Sequence, residues 1–217
     1  MDIFKYMEKR RKVEREKGPF FSVPSGFTLV ETLVAVAILM IAIAGPLTVA
    51  EKGLSASIYA RDQLMASYLA QDAMEYIRNI VDTNQIIMHE TPNPDNITWL
   101  DSTADGINDL TVCTFDDPCL VDTINDNITQ CNTTIVLCDQ KIPLLLGANG
   151  YQQLIGQSSP FSRIFYLIPY NIEQTSCSGD PGDCTAADVV VEVSWPGSEV
   201  GGGGVKLEDT IYNTPLH

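Results

Sequence analysis

The sequence predicts an α+β protein, with one long N-terminal helix followed by antiparallel β structure towards the C-terminus. Two observations support this fold class. An uncharged apolar run is followed by apolar residues at three- and four-residue steps as far as residue 80, and this spacing is typical of helices. Segments rich in β-branched and aromatic residues then occur near the C-terminus, and such segments favour strands.

The composition argues against two classes of protein. The 217 residues include 13 Lys and Arg against 28 Asp and Glu, which gives a formal net charge of −15. Electrostatic binding to nucleic acid needs clustered cations, so we expect no direct nucleic-acid binding. With 45% hydrophobic and 19% charged residues, the chain is also too apolar to be a disordered protein.

The charge is distributed unevenly on the two sides of an apolar segment. Residues 1–26 contain seven cations and four anions, whereas residues 27–217 contain six cations and 24 anions. Residues 32–50 are 19 uncharged positions, and a helix of that length is about 28 Å long, close to the hydrocarbon thickness of a bilayer. We therefore predict a transmembrane helix over residues 27–50, with the basic side in the cytoplasm and the acidic remainder outside.

Two other interpretations of the apolar segment fit its length less well. A secretory signal peptide has an apolar region of about 7–15 residues and a small-residue cleavage site, whereas this run is longer and continues into an amphipathic pattern. A core helix without charge over 19 residues would need a large domain around it, which a chain of 217 residues hardly supplies.

The residues at the start of the apolar segment restrict the range of possible functions. Gly26 directly precedes Phe27, and one carboxylate, that of Glu31, follows four residues later and just before the uncharged run. This order resembles the prepilin signal of type IV pilins and type II secretion pseudopilins. The resemblance implies that a prepilin peptidase cuts between Gly26 and Phe27, removes the cytoplasmic leader 1–26 and methylates the new amine of Phe27.

The carboxylate of Glu31 needs a partner. An isolated acid in an apolar segment costs about 2.5–3.5 kcal/mol at the helix centre on insertion scales, and less near a helix end. The resemblance supplies a partner, which is the N-terminal amine of an adjacent subunit in a filament. The alternative is that the Glu31 side chain extends to the lipid headgroups.

Gly45 and Pro46 lie inside the predicted span. Proline removes one backbone hydrogen bond and crowds the preceding turn, so we expect a kink or local unwinding near residues 42–46. The resemblance agrees with this expectation, because members of that family often carry a helix-bending proline at a similar depth.

Residues 51–84 are predicted to continue the helix as an amphipathic segment, which ends around residues 81–84 and before the loop prolines Pro92 and Pro94. Its apolar stripe consists of Leu54, Ile58, Met65, Leu69, Ala73, Tyr76, Ile77 and Ile80. The resemblance implies a pilin-like fold, in which an antiparallel sheet packs against this stripe.

Residues 85–217 are predicted to form an exported, disulfide-containing, β-rich domain. Short apolar runs in its loop-rich first part are candidate strands at 110–115, 134–137 and 142–146. Clearer strands occur at 163–169, 189–195 and 205–212. The glycine-rich segment 196–204 predicts a turn that joins the last two strands as an antiparallel hairpin.

All six cysteines lie on the predicted exported side, where an even number indicates up to three disulfides among 15 possible pairings. The short spacings suggest the pair Cys177–Cys184, and the simplest remaining pairs are Cys131–Cys138 and Cys113–Cys119. No C-x-x-C pair occurs, so the sequence gives little support for structural zinc or thiol redox chemistry.

Two further patterns concern ions and modification. Acidic stretches at 101–109 and 116–126 offer oxygen ligands for calcium. Neither stretch matches an EF-hand loop, and acidic loops that are simply solvated are more common. No other cofactor is expected. Sequons of the N-x-Thr type begin at Asn96, Asn127 and Asn132, and these are acceptors for N-glycosylation where that machinery exists.

The sequence predicts a structural subunit rather than an enzyme. The only histidines are His89 and His217, and no nucleophile elbow, zinc-protease or dinucleotide motif occurs. The resemblance implies a minor pilin or pseudopilin of a type IV pilus or type II secretion-like filament. Its partners would be prepilin peptidase, other such subunits and the membrane, and its final location would be a cell-surface or periplasmic filament. The alternative is a membrane-anchored extracytoplasmic binding protein or adhesin that does not polymerise.

Overall fold

The computed structural model of the chain describes residues 26–91, 97–101, 109–131, 142–153, 155–171, 177, 181–197 and 204–214. The chain divides into two compact units, Met1–Leu54 and Ser55–His217. The first unit contributes the start of a long helix, and the second is an α+β unit that contains the rest of this helix and a sheet.

Helix α1 runs from Leu29 to Glu90, over 62 residues. In the first unit, every described residue from Gly26 to Leu54 is exposed, so this apolar surface has no cover within its own unit. Among the described residues α1 is the one helix that is long and apolar enough to cross a membrane, with a mean hydropathy of 2.5 in its most apolar window.

The described residues of the second unit form seven strands and one short 3-10 helix. The strands are β1 (Cys119–Asp122), β2 (Asn127–Gln130), β3 (Pro143–Gly147), β4 (Gly150–Gln152), β5 (Gln157–Tyr170), β6 (Ala186–Ser194) and β7 (Val205–Tyr212), and the 3-10 helix is Pro181–Asp183. All pairings between these strands are antiparallel.

Strand β5 is the centre of the sheet. Its residue Ser162 pairs with Pro143 of β3 and with Ser194 of β6, and these partners therefore lie on opposite sides of β5. At Phe165 of β5 the two sides are taken by β1 and β6. The hairpins β1–β2 and β3–β4 thus share one edge of β5, while β6 and then β7 follow on the other edge.

The hydrophobic core lies between the sheet and the part of α1 that belongs to the same unit. The helix contributes small and aliphatic side chains at three- and four-residue spacing, namely Ala66, Leu69, Ala70, Ala73, Met74, Ile77, Ile80 and Val81. Strands β5 and β6 contribute alternate residues, as expected for one face of a sheet, namely Phe161, Phe165, Leu167, Ala187, Val189, Val191 and Val193. This confirms the predicted α+β, pilin-like fold class.

Two details of the predicted helix are wrong. Leu54, Ile58 and Met65 of the predicted stripe are exposed, and the first buried residue of the helix is Ala66. The helix also passes its predicted end at 81–84 and reaches Glu90.

The longer helix has a physical cause in two polar residues. Asn84 and Gln85 interrupt the apolar pattern, yet both are buried. The Gln85 side-chain amide donates to the Tyr212 carbonyl at 2.8 Å and accepts from the Thr214 hydroxyl at 2.8 Å. Polar side chains that are satisfied in this way can occupy a helix face that packs on a sheet.

The strand predictions have mixed outcomes. The runs 142–146, 163–169, 189–195 and 205–212 fall on β3, β5, β6 and β7, and β6 pairs with β7 as the predicted hairpin. The run 110–115 is a turn rather than a strand, held to β5 by an isolated parallel bridge between Thr114 and Leu167. The run 134–137 lies outside the described residues, as do residues 198–203 of the hairpin turn.

Candidate processing and assembly segment

The helix begins with a capping arrangement at Thr28. The backbone N–H of Glu31 donates to Thr28 Oγ1 at 3.3 Å, and the N–H of Thr32 donates to the Thr28 carbonyl at 3.2 Å. Threonine followed three residues later by glutamate is the pattern of a capping box. Thr28 is not among the site residues predicted from the sequence, although its T-x-x-E spacing to Glu31 is readable there.

The three residues of the predicted signal lie together at this helix start. Gly26 and Phe27 precede α1 and are exposed, the Phe27 side chain by 78%. A Cβ atom placed on Gly26 would meet nothing within 4 Å, so no described residue crowds the backbone at Gly26. Glu31 lies in the first turn of the helix, where the helix dipole favours a negative charge.

Glu31 is exposed and has no ion-pair partner among the described residues. Between Glu31 and Glu51 the helix carries no other charge. The segment therefore presents one carboxylate at the end of an otherwise apolar, uncovered helical surface. Such a surface can bind lipid or other apolar helices, and its carboxylate can accept a cation.

Pro46 does not interrupt the helix. The helix continues through residues 42–46, so the local unwinding predicted from the sequence is absent from this described segment. The Thr48 hydroxyl donates to the carbonyls of Ala44 and Gly45 at 2.9 and 2.8 Å, close to the position where the proline ring crowds the helix. A kink at Pro46 stays a prediction.

In the second unit, polar contacts fix α1 to the β1–β2 hairpin. The Thr123 hydroxyl donates to Asp72 Oδ2 at 2.7 Å, and the Tyr76 hydroxyl donates to Asp126 Oδ1 at 2.6 Å. Burial, followed by the hydrogen bond to Asp126, raises the pKa of the Tyr76 phenol well above its ordinary value. Tyr76 therefore stays a neutral hydrogen-bond donor at physiological pH.

The acidic stretch 116–126 is used within the fold. Both carboxylate oxygens of Asp122 accept hydrogen bonds, from the backbone of Ile124, Asn125 and Gln153 and from the Asn125 side chain. Within the described parts of the chain, no group of three or more His, Cys, Asp or Glu is placed to hold a metal ion. Most of the stretch 101–109 lies outside the described residues, and calcium binding stays untested.

The cysteines and sequons fall on both described and undescribed parts of the chain. Disulfides join Cys113 to Cys119 and Cys177 to Cys184, with Cα atoms 5.3 and 5.9 Å apart. These are two of the three pairs that the short spacings suggested. Cys131 is also disulfide-bonded, and its suggested partner Cys138 lies outside the described residues. Among the sequons, Asn127 lies on β2, whereas Asn96 and Asn132 are outside the described residues.

The described surface has a cavity of about 240 Å³ whose lining includes Arg78 and Asp82. A cavity of about 370 Å³ is lined by serines, prolines and Trp195, without a titratable side chain. His89 lies exposed in the last turn of α1, and His217 is outside the described residues.

The fold and the N-terminal segment define a class: an α+β protein whose long apolar helix suggests anchoring in a membrane and whose second unit contains disulfides. Residues 24–45 match the family model described as the prokaryotic N-terminal methylation motif. The chain thus carries the signal of type IV pilins and pseudopilins, which are structural rather than enzymatic proteins. No curated protein and no solved structure matches the chain.

Proposed function

We propose that this protein is a minor pilin or pseudopilin, a subunit of a type IV pilus or a type II secretion-like filament. Prepilin peptidase cuts after Gly26, the new amine of Phe27 is methylated, and the apolar part of α1 passes from the bilayer into the filament. The observation that carries the proposal is Glu31, the one carboxylate within the matched motif, which has no ion-pair partner among the described residues and lies on a helix surface without a cover in its own unit.

The role of Glu31 follows from electrostatics. A carboxylate in apolar surroundings is stabilised by a cation held close to it, since the attraction grows as the dielectric constant falls. Cleavage at Gly26 creates such a cation four residues before Glu31 on every copy of the chain. In the proposed assembly, Glu31 of an arriving subunit pairs with the Phe27 amine of a neighbour, which favours one axial register of the helices.

A minor position in the filament is supported by the second unit. Between α1 and β5 the described residues form strands of three to five residues joined by turns and bends, and irregular surfaces are difficult to stack in a regular array. Immunogold labelling along or at the end of filaments distinguishes a minor subunit at one site from a major subunit.

N-terminal sequencing of the membrane and filament fractions tests the processing step. The expected result is a chain that begins with N-methylated Phe27. A chain that retains Met1 in purified fibres or envelopes would contradict the proposal, and would favour an anchored binding protein or adhesin that does not polymerise.

Assembly is tested with Glu31→Gln. The variant should be inserted and cleaved normally, while its incorporation into filaments falls about tenfold or more, because the buried charge pair is lost. Glu51→Gln is the matched control, since Glu51 is the next carboxylate along the helix and lies beyond the uncharged run. Normal incorporation of Glu31→Gln would refute the proposed role of this carboxylate.

A further inference from the structure

Phe115 is displayed to solvent by a short loop that a disulfide closes. Its side chain is 67% exposed, whereas Cys113 and Cys119 at the two ends of the loop are completely buried. Single exposed apolar side chains are common on protein surfaces, so exposure alone indicates no function. The distinguishing feature of Phe115 is that the loop holds it in a defined position.

Contacts on both sides of Phe115 fix this position. The Phe115 ring packs edge to face on the ring of Tyr166, with centroids 5.2 Å apart. Within the loop, the Thr114 N–H donates to the Asp117 carbonyl at 3.1 Å, and the Asp117 N–H donates to Thr114 Oγ1 at 3.3 Å. An aromatic side chain ordered before binding loses little conformational entropy when a partner covers it, and aromatic residues are enriched among binding hot spots.

The surface beside Phe115 is apolar on one side. Ile168 lies two residues from Tyr166 along β5, hence on the same face of the sheet, and its side chain is 45% exposed. Phe115 packs on Tyr166 on this face, and its side chain is more exposed than that of Ile168.

The residues that follow Phe115 in the loop are acidic. Asp116 and Asp117 follow Phe115 directly, and both are exposed. Residues 79–140, which include the loop, contain eleven Asp and Glu but no Lys or Arg. This charge disfavours a second copy of the same face and an anionic lipid surface as occupants, since like charges repel. It complements a protein surface that carries Lys or Arg around an apolar pocket.

We propose that the loop 113–119 is a docking site for a different protein, which receives Phe115 in an apolar pocket and pairs basic residues at the rim with Asp116 and Asp117. This site shares no residue with the apolar part of α1 that the proposed filament assembly uses. Its occupancy can therefore be measured independently of whether filaments form.

Site-specific photocross-linking in the producing cells tests the proposal. The photoreactive probe p-benzoylphenylalanine is placed at position 115 of the full chain, and at position 155 as a control, because Ile155 is another apolar side chain that is 75% exposed. We expect a cross-link from position 115 and not from position 155. Mass spectrometry should locate it in a different protein, on a peptide that contains Lys or Arg.

A charge variant makes the test specific. Asp116→Asn with Asp117→Asn should lower the cross-link yield about threefold or more, because rim charges contribute to association. The control Asp82→Asn with Asp183→Asn, which changes two other exposed acids, should leave the yield unchanged. Unchanged protection of the cysteines from alkylation verifies that the loop is intact. Cross-links to a second copy or to lipid alone, equal yields from the two positions, or no cross-link would each overturn the proposal.

Discussion

The guanidinium of Arg163 lies buried in the core and contacts Asp72 of α1, with Nη1 2.8 Å from Oδ2. The same guanidinium donates to the carbonyls of Leu69 and Val121 at 2.9 Å each. Burial lowers the pKa of Arg163 and the nearby carboxylate of Asp72 opposes this effect. One side chain of the central strand β5 therefore joins the helix to strand β1.

Loss of the Arg163 guanidinium should strongly destabilise the second unit. Arg163→Ala removes this donor from two buried carbonyls, and hydrogen bonds to a charged group contribute about 1.5–3 kcal/mol each. Asp72→Asn should cost less, about 1 kcal/mol, because the Asp72 side chain is 53% exposed and solvent screens an exposed charge. Urea unfolding of the full chain in detergent measures both free energies.

Arg61→Ala is the control for the Arg163 series. Arg61 pairs with Asp62 at 3.2 Å, but its side chain is 78% exposed, and such surface pairs contribute about 0–1 kcal/mol. If Arg163→Ala destabilised the protein no more than Arg61→Ala, the buried guanidinium would not be needed to hold the helix on the sheet.

Asp122 makes the stability of the β1–β2 hairpin dependent on pH. Burial by itself raises the pKa of Asp122, but hydrogen bonds from Asn125, Gln153 and Ile124 lower it below the ordinary value. Because the folded pKa lies below the unfolded one, which is about 4, the stabilisation is fully present above pH 4. This stabilisation is lost as the pH falls through the pKa of Asp122 in the folded protein.

Asp122→Asn should therefore remove part of the acid sensitivity of the protein. At pH 7 the variant loses about 1–3 kcal/mol, because the amide cannot accept all of the N–H donors, and this difference should shrink as the pH falls below 4. Thermal unfolding of both proteins from pH 7 to pH 2 measures this difference in stability. Asp116→Asn, at an exposed carboxylate, is the control, and a difference that does not change with pH would contradict the assignment to Asp122.

Local patterns in the sequence predicted the longest strands. Strands β5 and β6 are rich in β-branched and aromatic residues, and their pattern is visible without any partner. By contrast β1 and β2 have four residues each and were missed. They depend on contacts from distant parts of the chain, such as the hydrogen bond from Arg163 to the Val121 carbonyl.

The same distinction applies to the functional segment. Gly26, Phe27 and Glu31 lie within six consecutive residues, so their spacing is readable from the sequence. The Arg163 and Asp72 pair joins residues 91 positions apart, and neither residue has a local signal that would identify the other. Folding brings them together because the odd-numbered residues of β5 face the helix.

Alkylation and mass spectrometry should find no free thiol in the native protein, because the structure contains no free cysteine among its described residues. After reduction, all six cysteines should react. Cys113→Ser with Cys119→Ser should lower the stability by about 2 kcal/mol, the value expected for a loop this short. A native protein that reacts at Cys113 or Cys119 without reduction would show that the loop is not closed in solution.

Gly204 is required by the backbone at the start of β7. Its φ is +133°, and an added Cβ would collide with the carbonyl oxygen of Val193, the residue that pairs with Val205 across the hairpin. Gly204→Ala should therefore destabilise the β6–β7 hairpin by about 1–3 kcal/mol. Hydrogen exchange of the full chain should accelerate in peptides from β6 and β7.

Gly53→Ala should have the opposite effect on hydrogen exchange, which is slower exchange around the substituted residue. Gly53 lies inside α1, and an added Cβ there meets nothing within 4 Å. Alanine is favoured over glycine in a helix by about 0.5–1 kcal/mol, so exchange near residue 53 should slow. Equal effects of the two substitutions on their surrounding peptides would indicate that backbone conformation at Gly204 does not limit the hairpin.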